Sequence, residues 1–321
     1  MTDPGWSLTE SPFHPGELAI QARLGIQERI DRMGRRFIRE YITEQLQQFF
    51  AQLSYVIVGT VDESGNPWAS ILVGKPGFVS TPSDRTLQVN AKPLTGDPLS
   101  RNLVEGIDIG LLGIELENRR RNRINGVVSS INSDRFEVSV TQSFGNCPQY
   151  IQARSFEYVE IHEDKSQIAE INSFGTIEHN LIASADTFFI ATAYQDKLAG
   201  VTKGADVSHR GGKPGFVRID DASTLTIPDF HGNCYFNTLG NIELNPHAGL
   251  LFVDFIGGDL LYLTGKAEII WSGADSIYAG AEQLIRFHLE RGYLAKETLP
   301  LRWTPPEFSP QLKKTGSWQQ K

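Results

Sequence analysis

The sequence predicts a mainly β protein with flanking helices, built as two tandem antiparallel barrel modules from an internal duplication. Three observations predict this. The word GKPGFV occurs twice, at residues 74–79 and 212–217. Slid against itself by 138 or 139 residues, the chain then matches in the same order at RTLQV (85–89) with STLTI (223–227), GLLGIEL (110–116) with GLLFVDF (249–255), and INGVVSSI (124–131) with LTGKAEII (263–270). Most apolar segments are short, rich in β-branched residues and bounded by turn words, which is the pattern of strands. Two copies are too few for a solenoid, so the turn belongs to a module present twice.

Each copy opens on a helix. Ile38, Ile42, Leu46, Phe49, Phe50 and Leu53 follow helical spacing before the first strand, as do Ile177, Leu181, Ile182 and Ala185 in the second copy. YVIVGTVD and its counterpart TFFIATAY come next, then GFVS with TLQV, matched by GFVRI with TLTI. FIGGDLLYL reads as a hairpin whose turn favours positive φ. Short turns and few helices imply antiparallel sheets closed into barrels, which removes edges. A final helix is expected over 274–291. The domain reading is an N-terminal helical arm (1–34), a first module (35–160), a charged linker (161–172) within the segment 155–172, and a second module with C-terminal helix and tail (173–321). In the arm, Leu18, Leu24, Ile26, Ile30 and Met33 are loosely helical in spacing. The proline-bearing tail is expected to be irregular.

At 321 residues the chain exceeds the usual single core. Hydrophobic content of 40% and charged content of 21% are ordinary for a folded domain. A net charge of −8 and a pI near 5.4 argue against a nucleic-acid partner. No run approaches the roughly 18 apolar residues needed to span a bilayer, and MTDPGWSLTE lacks the basic and apolar regions of a secretory signal. Cys147 and Cys234 make neither a disulfide framework nor a four-ligand zinc site. Reduced thiols in a cytoplasmic protein are the expectation. The histidines show no metal-binding spacing, and no dinucleotide fingerprint or phosphate loop occurs.

The stretch VSHRGGKPGFVRIDDASTLTIPDFHGNCYFNTLGNIELNPHAGLLFVDF (207–255), above all NIELNPHAGLLF, resembles the FMN-binding split-barrel family related to pyridoxamine 5'-phosphate oxidase. In the more divergent first copy, RRRNRINGVV resembles that family's basic strand running into glycine. The resemblance covers most of residues 35–271. It implies two tandem FMN-binding split β-barrel modules, FMN as cofactor, and a flavin cleft between two barrels. The paired barrels come either from the two copies in one chain or from a homodimer. It further implies two-electron transfer between a small-molecule substrate and FMN, with oxygen or an electron-transfer partner reoxidising it. The tail PEFSPQLKKTGSWQQK lacks the arginine–histidine word that holds the substrate phosphate in pyridoxamine phosphate oxidase, so that activity is not expected. The alternative readings are a non-catalytic flavin- or haem-binding module, for which His209 and His231 are the only candidate ligands, and a docking unit for a separate reductase.

FMN needs donors for a dianionic phosphate. Arg210, Lys213 and Arg218 surround the glycine-rich turn, and Asn237, Thr238 and Asn241 follow in FNTLGN. Glycines let backbone approach a ligand, and hydroxyl and amide groups donate to phosphate beside an arginine fork. Without the resemblance the same residues read as a polar surface turn. In the first copy, strand alternation puts Arg119, Arg121 and Arg123 on one face and Arg120 on the other. Such a column suits an anion, or else a solvated edge strand protected by charge. In GNCPQYIQAR, Tyr150 stacks on a ligand or packs between domains, Arg154 holds an acid, and Cys147 is a small buried hydrophobe. As a nucleophile Cys147 would need a base, and the nearest histidine in sequence is His162.

Overall fold

The computed structural model describes residues 5–161 and 166–318. The arm holds α1 (Pro15–Arg23) and α2 (Gln27–Phe37). The first module comprises α3 (Glu44–Ala51), β1 (Tyr55–Val61), β2 (Pro67–Val73), β3 (Val79–Ser83), β4 (Thr86–Val89), the single turn α4 (Leu99–Asn102), β5 (Asp108–Glu115), β6 (Arg120–Ile131) and β7 (Phe136–Asn146). Two short strands, β8 (Phe156–Tyr158) and β9 (Gln167–Ile171), lead onward. The second module comprises α5 (Thr176–Ser184), β10 (Thr187–Tyr194), β11 (Gly204–Gly211), β12 (Arg218–Ile219), β13 (Thr224–Phe230), α6 (Asn237–Leu244), β14 (His247–Val253), β15 (Leu260–Ile270), α7 (Ala274–Ile277) and β16 (Ala281–Lys296). β17 (Leu301–Trp303) follows.

The first sheet runs β2-β1-β5-β6-β7-β4-β3 and the second β11-β10-β14-β15-β16-β13-β12. With β10 standing for β1 and β16 for β7, the two orders are identical. The repeated words fall on matching strands. Even the irregularities repeat: the β6–β7 ladder shifts register at Asn125/Gly126, and the β15–β16 ladder shifts at Thr264/Gly265.

Thr43 caps α3 by accepting the Leu46 N–H at 3.3 Å. The helix then turns Leu46, Phe49 and Phe50 into the first barrel. Ile38 and Ile42 precede the cap, in chain outside the helix. β1 is buried along its whole length, and alternation explains why. Val56 and Val58 belong to the core of the first module, whereas Tyr55 and Ile57 join a cluster shared with Phe189, Leu251 and Tyr262 of the second. The barrels therefore lie face to face. A Cβ on Gly110 of β5 would sit 2.6 Å from the carbonyl oxygen of Ala205 in β11, and one on Gly249 of β14 would sit 2.3 Å from that of Pro67 in β2. Ala205 and Pro67 hold the same register in their modules. The contact is thus reciprocal, the arrangement of a two-fold dimer built inside one chain.

Two expectations are corrected. Only α7, four residues long, stands where the final helix was expected. From Ala281 the chain is a strand, because Ile285, Phe287 and Leu289 point inward while Arg286, His288 and Glu290 point outward. The expected linker is also woven into the fold. β9 pairs with the far half of β16, Ile171 facing Gly292, and β8 pairs with β17. His162 lies outside the described residues. The tail beyond β17 is largely irregular and returns to the second module, where Trp318 bridges to Tyr278.

Candidate functional site

β6 of the first module runs beside β11 of the second, and a cleft of about 110 Å³ opens between them. Alternation sends Arg121 and Arg123 toward it. Arg120 turns away and lies over the Phe49 ring at 5.1 Å. Arg123 is buried, with both Nη atoms engaged and its Nε without a hydrogen-bond partner among the described residues. Its Nη1 donates to Asp206 Oδ1 and Asn237 Oδ1, each at 2.9 Å, and its Nη2 to Val207 O at 2.8 Å and to Ser208 Oγ. Asn125 also donates to Asp206 Oδ1 at 2.9 Å. Asn241 stands behind Asp206, donating to its Oδ2 at 3.4 Å and to Thr192 at 3.0 Å. Thr238 donates to Ser208 Oγ at 3.2 Å. The arm closes this network from behind: Asn237 donates to Glu17. Burial, then the nearby Asp206, push the Glu17 carboxyl well above its ordinary range.

Arg121 is placed differently. Its Nε donates to Cys147 O at 2.6 Å, and its Nη1 reaches His209 Nδ1 at 3.1 Å and His209 O at 3.3 Å. Asp206 answers Arg123, and Asp229 answers Arg210 at 3.0 Å. Arg121 is met by carbonyls and an imidazole, with no carboxylate against it among the described residues. Burial, followed by repulsion from Arg210, lowers its pKa to about 9. Burial and the guanidiniums of Arg121, Arg210 and Arg154 hold His209 neutral, well below the usual imidazole range. Arg121 can only donate, so Nδ1 of His209 accepts and the proton sits on Nε2. That Nε2 is buried and has no hydrogen-bond partner among the described residues.

Arg121, Arg123, Arg210, Asn237 and Thr238 line the cleft, with Asn241 one layer behind. Three other expected residues lie outside it. Lys213 donates to Thr315 O at 2.6 Å. Arg218 pairs with Asp220 at 2.5 Å and lies over Trp318 at 4.4 Å. Arg119, in the turn before β6 with φ of 52°, pairs with Glu307 at 2.8 Å. Of the secondary candidates, His231 lines the cleft and pairs with Glu282 at 2.7 Å, and Tyr150 packs on Phe230 at 5.1 Å. Arg154 is locked to Asp186 at 2.5 Å. Both cysteines line the cleft as free thiols. Asp206, Ser208, Asp229 and Glu17 were missed by sequence reasoning. Alternation in GADVSHRG signals the first two, since it puts Asp206 and Ser208 on one face.

Arg121 and Asn146 also form part of the wall of an adjoining groove of about 610 Å³, with Phe37, Arg39 and Tyr235 on its other sides. The inner cleft alone is below the roughly 300 Å³ at which small-ligand pockets begin. It suits a phosphate-sized anion, and the groove beside it has room for a larger body.

A family model described as pyridoxamine 5'-phosphate oxidase matches residues 42–167. Over those residues the chain is similar to the pyridoxamine 5'-phosphate oxidase family. The match falls on the first module, the copy whose sequence is the more divergent by motif, and the second module repeats the strand order of the first. No curated protein matches the chain. Among solved structures, the chain is similar to a pyridoxamine 5'-phosphate oxidase-like protein of Lactobacillus delbrueckii at 15% identity and TM-score 0.28, covering 38% of this chain and 93% of that one. It is similar to HupZ of Group A Streptococcus at 18% identity and TM-score 0.29, covering 40% and 97%. It is also similar to a FAD-binding protein of Mesorhizobium loti at 13% identity and TM-score 0.26, again covering 40% and 97%. The matched module thus supplies Arg121 and Arg123, and its repeat supplies the facing wall.

Proposed function

We propose that the chain is an FMN-binding oxidoreductase whose flavin phosphate is held in the cleft between the modules. One observation carries this reading: Arg121 is half-buried at the wall of a cleft with no carboxylate against it among the described residues, beside the buried His209 Nε2–H, which has no acceptor among them. A partly desolvated cation and a buried donor left unanswered are both costly, and an anion answers both. Arg121 and His209 Nε2 would hold the phosphate, with Thr238 alongside. Phe37 and Tyr235, in the adjoining groove, offer apolar wall to a flat ring. Asp206 and Arg123 lock β6 to β11, so the two sides of the cleft hold their positions as a ligand enters. Glu17, buried behind Asn237, closes the network from the arm side. When bound, flavin supplies two-electron transfer at its N5. Similarity of the first module to the pyridoxamine 5'-phosphate oxidase family supports this cofactor class.

The test is titration of the purified protein with FMN and with riboflavin, followed by absorbance and flavin fluorescence. Tighter binding of FMN supports the phosphate site. Equal affinity for the two flavins overturns it.

A further inference from the structure

We infer that the duplication has left a single anion-binding cleft per chain, and that its counterpart across the pseudo-two-fold axis has become core. This rests on the reading of the cleft as the flavin phosphate site. The sheet registers identify the counterpart residue by residue. Gly110 pairs with Asn125 as Gly249 pairs with Thr264. In the same ladders Leu112 pairs with Arg123 as Leu251 with Tyr262, and Ile114 with Arg121 as Val253 with Leu260. Tyr262 therefore stands where Arg123 stands, and Leu260 where Arg121 stands. On the opposing strand, Thr60 pairs with Trp68 as Thr192 pairs with Asp206. This sets Trp68 in the place of Asp206, Ser70 in that of Ser208, Ile71 in that of His209 and Leu72 in that of Arg210.

The chemistry of the two places is opposed. At these six positions the arginines, the aspartate and the imidazole have apolar or aromatic equivalents, and the serine alone is kept. Leu260, Tyr262, Trp68, Ile71 and Leu72 are each 0–1% exposed. The polar atoms that remain are satisfied within the protein: Tyr262 donates to Asp97 Oδ2 at 3.3 Å, while Ser70 Oγ and the Leu99 N–H donate to Asp97 Oδ1 at 2.5 and 2.8 Å. The groove outside Trp68 contains Arg291, which is answered by Asp62 at 3.1 Å. In place of Arg121 and Arg123 an anion in the counterpart would meet Leu260, Tyr262 and the buried Asp97 carboxyl, although the exposed Arg101 also lines the groove. In a dimer of identical chains a substitution appears in both clefts at once. Fusion lets one cleft be filled while the other is kept.

The experiment has two arms. Titration of the whole chain with FMN should give one flavin per chain. Two per chain, or one shared by two chains, would overturn the inference. Thermal melting of the ligand-free Leu260→Ala variant should fall by at least about 4 °C, as for loss of a packed leucine, with FMN stoichiometry unchanged. Arg121→Ala should lose FMN without such a fall. If no flavin binds, the proposed function fails, and the melting arm then decides the inference by itself. A Leu260→Ala protein melting within about 1 °C of the parent shows that the counterpart is not packed.

Discussion

Arg121 of the first module and His209 of the second meet at 3.1 Å across the module boundary, Nη1 to Nδ1. Each fixes the other's state: the guanidinium keeps the imidazole neutral, and the imidazole takes the place that a carboxylate would otherwise fill. Arg121→Ala should weaken FMN binding about ten- to a hundredfold, the cost of one charged hydrogen bond left unmade. Arg120→Ala, on the opposite strand face, and Arg218→Ala, against Trp318, should each change affinity less than about twofold. Isothermal titration of the three variants checks this, and equal loss from Arg120→Ala would disprove the strand-face argument.

Asp206 is the counter-charge of the buried Arg123. Asp206→Ala leaves that guanidinium inside without a counter-charge, so the protein should lose about 3–5 kcal/mol of stability. Urea unfolding measures it. A loss below about 1 kcal/mol would mean that water reaches Arg123.

Gly249 stands against the Pro67 carbonyl, a backbone atom that cannot swing aside. Gly249→Ala should cost roughly 1–3 kcal/mol through overpacking and should lower the melting temperature. Gly65→Ala offers a comparison of another kind, since open space surrounds that residue and only its φ of 87° resists the change.

Burial raises the Asp97 carboxyl from 3.8 to about 7. Its folded pKa lies above its unfolded one, so the folded state binds the proton more tightly. The stability this contributes is complete below about pH 4 and is lost as pH rises toward 7. His14, lowered by burial to about 4, has the opposite sign in an overlapping window: its contribution grows as pH rises from 4 to 6.5. Comparing the parent with Asp97→Asn isolates the carboxyl. Between pH 4 and 7 the parent should lose stability relative to the variant, and parallel curves would show that Asp97 titrates normally.

The duplication was legible because its turn words and bulge glycines are fixed by backbone geometry and therefore persist as letters. The facing of Arg121 and Arg123 was legible too, since a strand allows only two faces. β16 was misread because Leu284, Ile285 and Leu289 also satisfy helical spacing. Extending the offset between copies to β7 would have marked it as a strand. Glu17 was invisible because a carboxylate in sequence reads as solvated, and for Asp206 alternation signals only the face, since burial beside Arg123 is a property of the packed barrels. Lys213 and Arg218 sit in the right word, but β12 lies at the far edge of its sheet and faces the returning tail.

The pairing of β8 with β17, and of β9 with β16, laces the segment between the modules into strands that come more than a hundred residues later. The two halves are therefore not beads on a string. Each lacks strands that the other end of the chain supplies, and each on its own would bare the apolar face around Tyr55, Ile57, Phe189 and Leu251. Genes encoding the halves separately would make fragments that find one another and complement, and neither fragment would behave as a free-standing domain.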